Sequence, residues 1–308
     1  MQFVVCGEAL IDLVPDEGGD TFRSPWSALS AGGPVNTAIG LARLGERVGF
    51  AGRLSTDRFG RQLRAHLAGG GVGLAQTVDS DDPTPLAVVS LTADGSATYA
   101  FHFDRTAAFG WRAGELPEVD ERAWLHVASL ATVVDPGAGA LLPWVDAHTG
   151  PLSFDINVRP SVITDMRAYW QRVEPWLEVL GRHGGVVRAS DEDVACLAEG
   201  SGDDGVPEVV LGRWRERYGF GVAVMTFGPH GAWAVDGSGE VRASGREVQV
   251  VDTVGAGDTF TAALLAEYAR SGDLHAALDL GVAAGAYACT QRGAQPPTRA
   301  ELEAFLAR

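Results

Sequence analysis

Short unbroken apolar runs alternate along this chain with stretches whose apolar residues recur at helical spacing. In "MQFVVCGEALIDLVP" the run from Phe3 to Cys6 predicts a buried strand, followed through Gly7 by a polar turn carrying Glu8 and Asp12. In "SAGGPVNTAIGLARLG" glycines and Pro34 give way to Val35, Ile39 and Ala42 with Leu41 and Leu44, a helical pattern closed by Gly45. A strand "VGFAGRL" and a helix from about Asp57 to Leu67 follow. The rhythm changes in "PLAVVSLTADGSATYAFHF", where two β-rich runs flank Asp94 and Gly95, a hairpin signal. Residues at about 13–30 and 83–106 are expected to form a small β lid inserted in a core that otherwise alternates strand and helix. That alternation resumes with "AWLHVASL", a helix from about Gly137, "LSFDIN", a helix from about Asp165, "GVVRAS" and a helix from Asp191. A helix around 208–218, strands "GVAVMTF" and "AWAVD", and further helices through Arg308 complete it. Nothing repeats with a solenoid period. The pattern predicts a single α/β domain over residues 1–308 with a mostly parallel sheet covered by helices.

Composition narrows the functions available. A formal net charge of −16 with no basic cluster argues against a nucleic-acid partner. No apolar run is as long as a bilayer span and no secretory leader pattern opens the chain, so a cytoplasmic protein without a membrane partner is expected. Cys6, Cys196 and Cys289 lack metal-ligand or redox spacing. All 24 basic residues are arginine, which removes a Walker lysine and any Schiff-base mechanism. Asparagine occurs only at 36 and 157, both beside predicted strand ends or helix starts.

The chemistry concentrates in "DTVGAGDTF". Gly255, Ala256 and Gly257 can aim successive N–H groups into one concavity, and the helix behind them adds its positive end, an arrangement that suits phosphate. Asp258 then has two readings: a helix cap, or a base taking the proton of a hydroxyl that attacks phosphorus. Asn36 in "AGGPVN" either meets sugar hydroxyls or satisfies its own turn. In "FDINVRP", Asn157 and Arg159 follow a strand, where α/β sheets form ligand crevices. The Gly228-to-Gly231 turn suits close approach of a nucleotide or an ordinary hairpin. In "RASDEDV", Ser190 reads as an N-cap, and the acids behind it either stabilise the helix start or organise Mg²⁺ through water.

"AGGPVNTAIGLARLG" and "DTVGAGDTFTAALL", about 220 residues apart and in this order, resemble the two signatures of the PfkB or ribokinase-like carbohydrate kinases, with likeness running from "GEALIDLVP" to "RGAQPP". The resemblance implies a ribokinase-like three-layer α/β/α sandwich with a β lid, and an ATP-dependent kinase acting on a primary sugar hydroxyl. It makes Asp258 the catalytic base and the backbone of Gly255, Ala256 and Gly257 an anion hole. Asp12, Gly32, Gly33 and Asn36 would bind sugar hydroxyls, and Thr226, Gly228 and Gly231 the nucleotide. It further implies MgATP, a monovalent cation such as K⁺ near carbonyls of Asp252, Val254 and Gly293, and a homodimer through the lid. The family's N-x-x-E is here Ser190 and Asp193, which keeps an acid but shortens its reach. Arg159 would hold a substrate carboxylate or the transferred phosphate, and Arg105 would come down from the lid. The likeness is strongest to the fructokinase and 2-keto-3-deoxygluconate kinase branches. Fructose is the expected acceptor; a sugar acid, another sugar, a nucleoside, or a sensor without turnover are the alternatives.

Overall fold

The computed structural model describes residues 2–20, 22–91 and 97–307. In chain order its strands are β1 (Gln2–Cys6), β2 (Leu10–Pro15), β3 (Trp26–Ala31), β4 (Arg47–Ala51), β5 (Arg53–Ser55), β6 (Val78–Ser80), β7 (Leu86–Leu91), β8 (Ala97–His102), β9 (Trp124–Ala128), β10 (Leu152–Asp155), β11 (Val186–Ser190), β12 (Val222–Thr226), β13 (Gly231–Asp236) and β14 (Gly239–Ser244). The helices are α1 (Gly33–Arg43), α2 (Arg58–Gly69), α3 (Gly137–Asp146), α4 (Met166–Arg182), α5 (Asp191–Ser201), α6 (Pro207–Tyr218), α7 (Ala256–Ser271), α8 (Leu274–Cys289) and α9 (Arg299–Leu306).

Eight strands form one sheet in the order β14, β13, β12, β11, β10, β9, β1, β4. The six from β12 to β4 run parallel, and β13 and β14 add an antiparallel edge. Period-two alternation divides the core between its faces. Val4 and Cys6 of β1 pack with Trp170, Trp176 and Trp214 of the α3–α6 layer, whereas Phe3 and Val5 pack with Val35, Leu264 and Leu278 of the α1, α7 and α8 layer. These faces define the three-layer α/β/α sandwich that the alternation and the family resemblance predicted.

A second sheet, in the order β3, β2, β7, β8, is the lid. The Asp94 and Gly95 turn between β7 and β8 lies outside the described residues. One reading of the sequence needs correction, and one strand went unread. Asp12 belongs to strand β2, opposite Leu29 of β3, because the alternating segment "LIDLVP" finds a lid partner on each side. The polar-looking "GEVRAS" forms β14, since the edge of a sheet needs only one buried face.

Candidate active site

Most α-helix starts in this chain are closed by a side chain. Asp57, Asp165, Ser190, Asp273 and Thr298 each accept a first-turn N–H. α1 and α7 differ. Their N-cap residues are Gly32 (φ 124°) and Gly255 (φ 74°), with no side-chain cap. A residue with a Cβ would be strained at both angles and would strike the Glu8 carbonyl oxygen or Ala294. Both helix starts therefore present open N–H groups, and both line the same cleft, a space of about 1090 Å³ between the carboxyl ends of the parallel strands and the lid. This volume accommodates a sugar together with the phosphates of a nucleotide.

Asp258 lies in the first turn of α7 and does not cap it, which removes the simplest structural reading of this residue. Its Oδ2 accepts a hydrogen bond from Asn36 Nδ2 at 2.8 Å, joining the two glycine motifs across 222 residues. Burial, reinforced by the Asp155 charge and opposed by the Asn36 hydrogen bond and by Arg159 and Arg188, raises the carboxyl to about 6. A Cβ at Gly33 would stand 3.0 Å from Asp258 Oδ1 and 3.1 Å from Asn157 Nδ2. The missing side chain leaves a small polar-walled space beside the free carboxylate oxygen.

The lid side of the cleft is acidic around Arg159, and Arg188 and Arg292 line the same space. Asp12 faces it from the lid, pushed up to about 6 by burial and held back by Arg159. Glu8 is 2% exposed and accepts the Ala131 N–H at 3.0 Å. Burial raises its carboxyl, opposed by backbone N–H groups, Ser129 and Arg159. Gly32, Gly33, Asn36 and Arg159 line the same space, as do Val254, Gly255, Gly257 and Gly293. Asp252 ties the last segment together: its Oδ1 accepts the Val254 N–H at 3.1 Å and its Oδ2 the Gly293 N–H at 2.8 Å.

Several expected site residues are placed elsewhere or otherwise engaged. Arg105 has a φ of 50° and a side chain 91% exposed, with Asp104 4.0 Å away as an ion-pair neighbour, and it is not among the residues that line the cleft. Thr226, Gly228 and Gly231 stand outside the cleft lining. Thr226 accepts from Arg188 Nη2 at 2.7 Å, and Gly231 is required by the close approach of the Ala243 carbonyl from β14. Ser190 and Asp193 border the cleft but form a reciprocal capping box, and the second Asp193 oxygen accepts the Val158 N–H at 2.7 Å. Asp193 is thereby a support for the "FDINVRP" loop, with backbone N–H groups on both oxygens. Among the described residues no group of three His, Cys, Asp or Glu side chains could hold a metal.

Residues the sequence did not single out also meet here. Asp155 and Arg188 are direct cross-strand partners in β10 and β11. Arg188 Nη1 reaches both Asp155 oxygens at 3.0 and 3.2 Å, and Thr261 of α7 donates to Asp155 Oδ2 at 2.9 Å. Burial works against the Arg188 charge, but Asp155, Asp193 and Asp258 more than offset it. His126, on the same face of β9, is kept neutral by burial and then by Arg188, its proton affinity lowered to about 3. The visible signal for this network was one charged residue inside the apolar run "VVRAS".

Open helix starts, a half-buried acid at the cleft wall and a lid over a parallel sheet define a group-transfer site. The chain matches the description "pfkB family carbohydrate kinase" over residues 1–301, and it belongs to that family. It is 32% identical over 306 residues to a fructokinase of Salmonella typhimurium, covering 94% of each chain. Among solved structures, it resembles the fructokinase of Vibrio cholerae O395 in its fructose, ADP and calcium ion bound form, with a TM-score of 0.83 and 27% identity over 99% of this chain and 98% of that one. The fold also matches the fructokinase of Xylella fastidiosa with bound ATP, with a TM-score of 0.88 and 24% identity over 99% and 98% of the two chains. No helix among the described residues is long and apolar enough to cross a membrane.

Proposed function

We propose that this chain is an ATP-dependent fructokinase that phosphorylates a primary hydroxyl of the ketose. The observation that carries this reading is the half-buried Asp258 carboxylate in the first turn of α7, with Oδ2 held by Asn36 and Oδ1 facing the space beside Gly33. The likeness to fructokinases supports the acceptor. So does the charge around Arg159: Glu8, Asp12 and Asp258 all act on or answer to that guanidinium, so its positive charge is already outnumbered. A sugar acid such as 2-keto-3-deoxygluconate would bring a further carboxylate into this company, whereas a neutral ketose meets acceptors for its hydroxyls.

In this reading Asp12, Asn36 and the Gly32 and Gly33 backbone orient the sugar. Asp258 Oδ1 takes the proton from its primary hydroxyl as that oxygen forms a bond to the terminal phosphorus of ATP and the bond to the ADP oxygen breaks. The N–H groups of Gly255 and Gly257 hold the charge on the transferred phosphoryl group, joined by that of Ala256 once it leaves its 3.2 Å hydrogen bond to the Thr253 carbonyl. Mg²⁺ would travel on the nucleotide phosphates and keep most of its waters, neutralising phosphate charge, which fits a cleft with Glu192 at its wall but no protein cage. Oxygen donors of Asp252, Val254 and Gly293, drawn together by the Asp252 hydrogen bonds, would suit K⁺. Ser190, Thr226 and Gly228 lie at the carboxyl ends of β11 and β12, and in this reading the nucleotide would run along them. Closure of the lid would exclude water as a competing acceptor.

Leu29 and Tyr99 line the cleft, whereas Trp26, 42% exposed, lies on the other face of the lid sheet by strand alternation, and we assign that face to a second copy of the chain. The three free cysteines and the acidic charge suit the cytoplasm. Incubation with MgATP and fructose, followed by ADP measurement and phosphorus NMR of the product, tests the function. Fructose-dependent ADP release with a phosphomonoester on a primary carbon is expected. ADP release that fructose does not accelerate would refute it.

A further inference from the structure

The phosphate side of the cleft contains a cation that neither glycine motif includes. Arg188 is 7% exposed, yet its head lines the cleft. It is fixed on three sides: Nη1 on both Asp155 oxygens, Nη2 on Thr226 Oγ1 at 2.7 Å, and the Phe260 ring 5.8 Å from Cζ. Asp155 is itself pinned to α7 by Thr261. A planar fork locked in this way cannot swing toward solvent, so its orientation is preset before any ligand arrives. That orientation brings Nη2 to within 3.1 Å of the position a Gly257 Cβ would occupy, directly under the glycine turn. The guanidinium has five N–H bonds, and the buried Nε has no hydrogen-bond partner. The group nearest the turn is Nη2, which donates one N–H to Thr226 and has a second to donate to an anion held there. Gly257 is also explained: any side chain there would separate the turn from the guanidinium.

We propose that Arg188 is a phosphate-binding residue of this site, donating from its guanidinium to the terminal phosphate of ATP from beneath Gly257, so that side-chain charge and α7 backbone N–H groups grip the same group. This assignment rests on the kinase reading above. It gives the lysine-free chain one fixed cation at the point of transfer, in a protein whose net charge would otherwise oppose a polyphosphate. The buried Asp155 partner keeps the fork in register and offsets part of its charge, so what the guanidinium offers a phosphate is directed N–H donation held in place by Thr226 and Asp155.

The test compares ADP with a non-hydrolysable imido analogue of ATP by titration calorimetry, in wild type, Arg188→Lys, Arg188→Met and the double variant Arg188→Met with Asp155→Asn. The double variant is included because Arg188→Met alone strands a buried carboxylate and could fail to fold. Loss of a charge-assisted contact to the terminal phosphate should weaken the analogue by roughly 10- to 100-fold in the methionine variants. ADP should change less than about threefold, and Arg188→Lys should recover part of the lost discrimination. In fructose turnover, kcat should fall with little change in the fructose KM. Equal weakening of ADP and analogue, or no weakening of either in the folded double variant, would overturn the proposal. Since the binding arm needs no sugar, a protein that never phosphorylates fructose would refute the function while calorimetry still decides Arg188.

Discussion

Replacing Asp258 by asparagine should cut turnover sharply and stabilise the protein at the same time. The carboxyl is raised from 3.8 to about 6, mainly by burial. A raised folded-state pKa means that the folded protein binds this proton more tightly than the unfolded chain, so ionising Asp258 costs stability. The cost is absent below the unfolded value near 4, grows as pH rises through about 6, and is complete above that. A shift of about two units corresponds to ~3 kcal/mol. Asp258 borders the cleft, where water screens part of the charge, and ~2 kcal/mol is the better figure. Asparagine is nearly isosteric, and its side-chain oxygen can still accept from Asn36 Nδ2. Calorimetric melting at pH 7.5 should therefore find Asp258→Asn higher in Tm by a few degrees, with the difference vanishing near pH 4. The same variant should lose about 10²–10⁴ in kcat, the usual worth of a positioned base. A variant that melts at or below wild type at pH 7.5, or whose advantage persists unchanged at pH 4, would refute the claim that burial strains this carboxylate.

Three further outcomes follow from the same geometry. In wild type, kcat/KM should fall on acidification through about 6 with a slope above one, because Asp12 and Asp258 both protonate there; a flat profile down to pH 5 would contradict it. Gly33→Ala should raise the fructose KM at least about tenfold while melting near wild type, because its methyl would occupy the space 3.0 Å from Asp258 Oδ1; steady-state kinetics and a melting curve check both halves. Asn36→Ala removes the hydrogen bond that favours the ionised carboxylate, so the acid limb of the pH profile should move up by about one unit, read from kcat/KM against pH.

The strand and helix rhythm was readable because each face of the main sheet is covered and its strands are short apolar runs, as in Phe3–Cys6 and Val222–Thr226. The glycine motifs were readable for a different reason: Gly32 and Gly255 sit at angles that only glycine accepts readily, so the residue type itself reports the backbone. What escaped was set by pairing between distant segments. Asp155 becomes the partner of Arg188 only when β10 and β11 align, and Glu8 is fixed by an N–H from residue 131. Arg105 illustrates the converse, since its place near the lid in sequence does not determine the direction of a side chain that leaves at φ 50°. Asp193 was legible as an acid at a helix start, but its second hydrogen bond, to the Val158 backbone, depends on a loop 35 residues away.

The most direct test of the whole account is the specificity constant for ADP release across fructose, other neutral sugars and 2-keto-3-deoxygluconate, measured beside the sugar-free rate. The account predicts that fructose gives the highest kcat/KM and that the sugar acid, facing Glu8 and Asp12 around Arg159, falls at least about tenfold below it. A higher kcat/KM for the sugar acid than for fructose would contradict it.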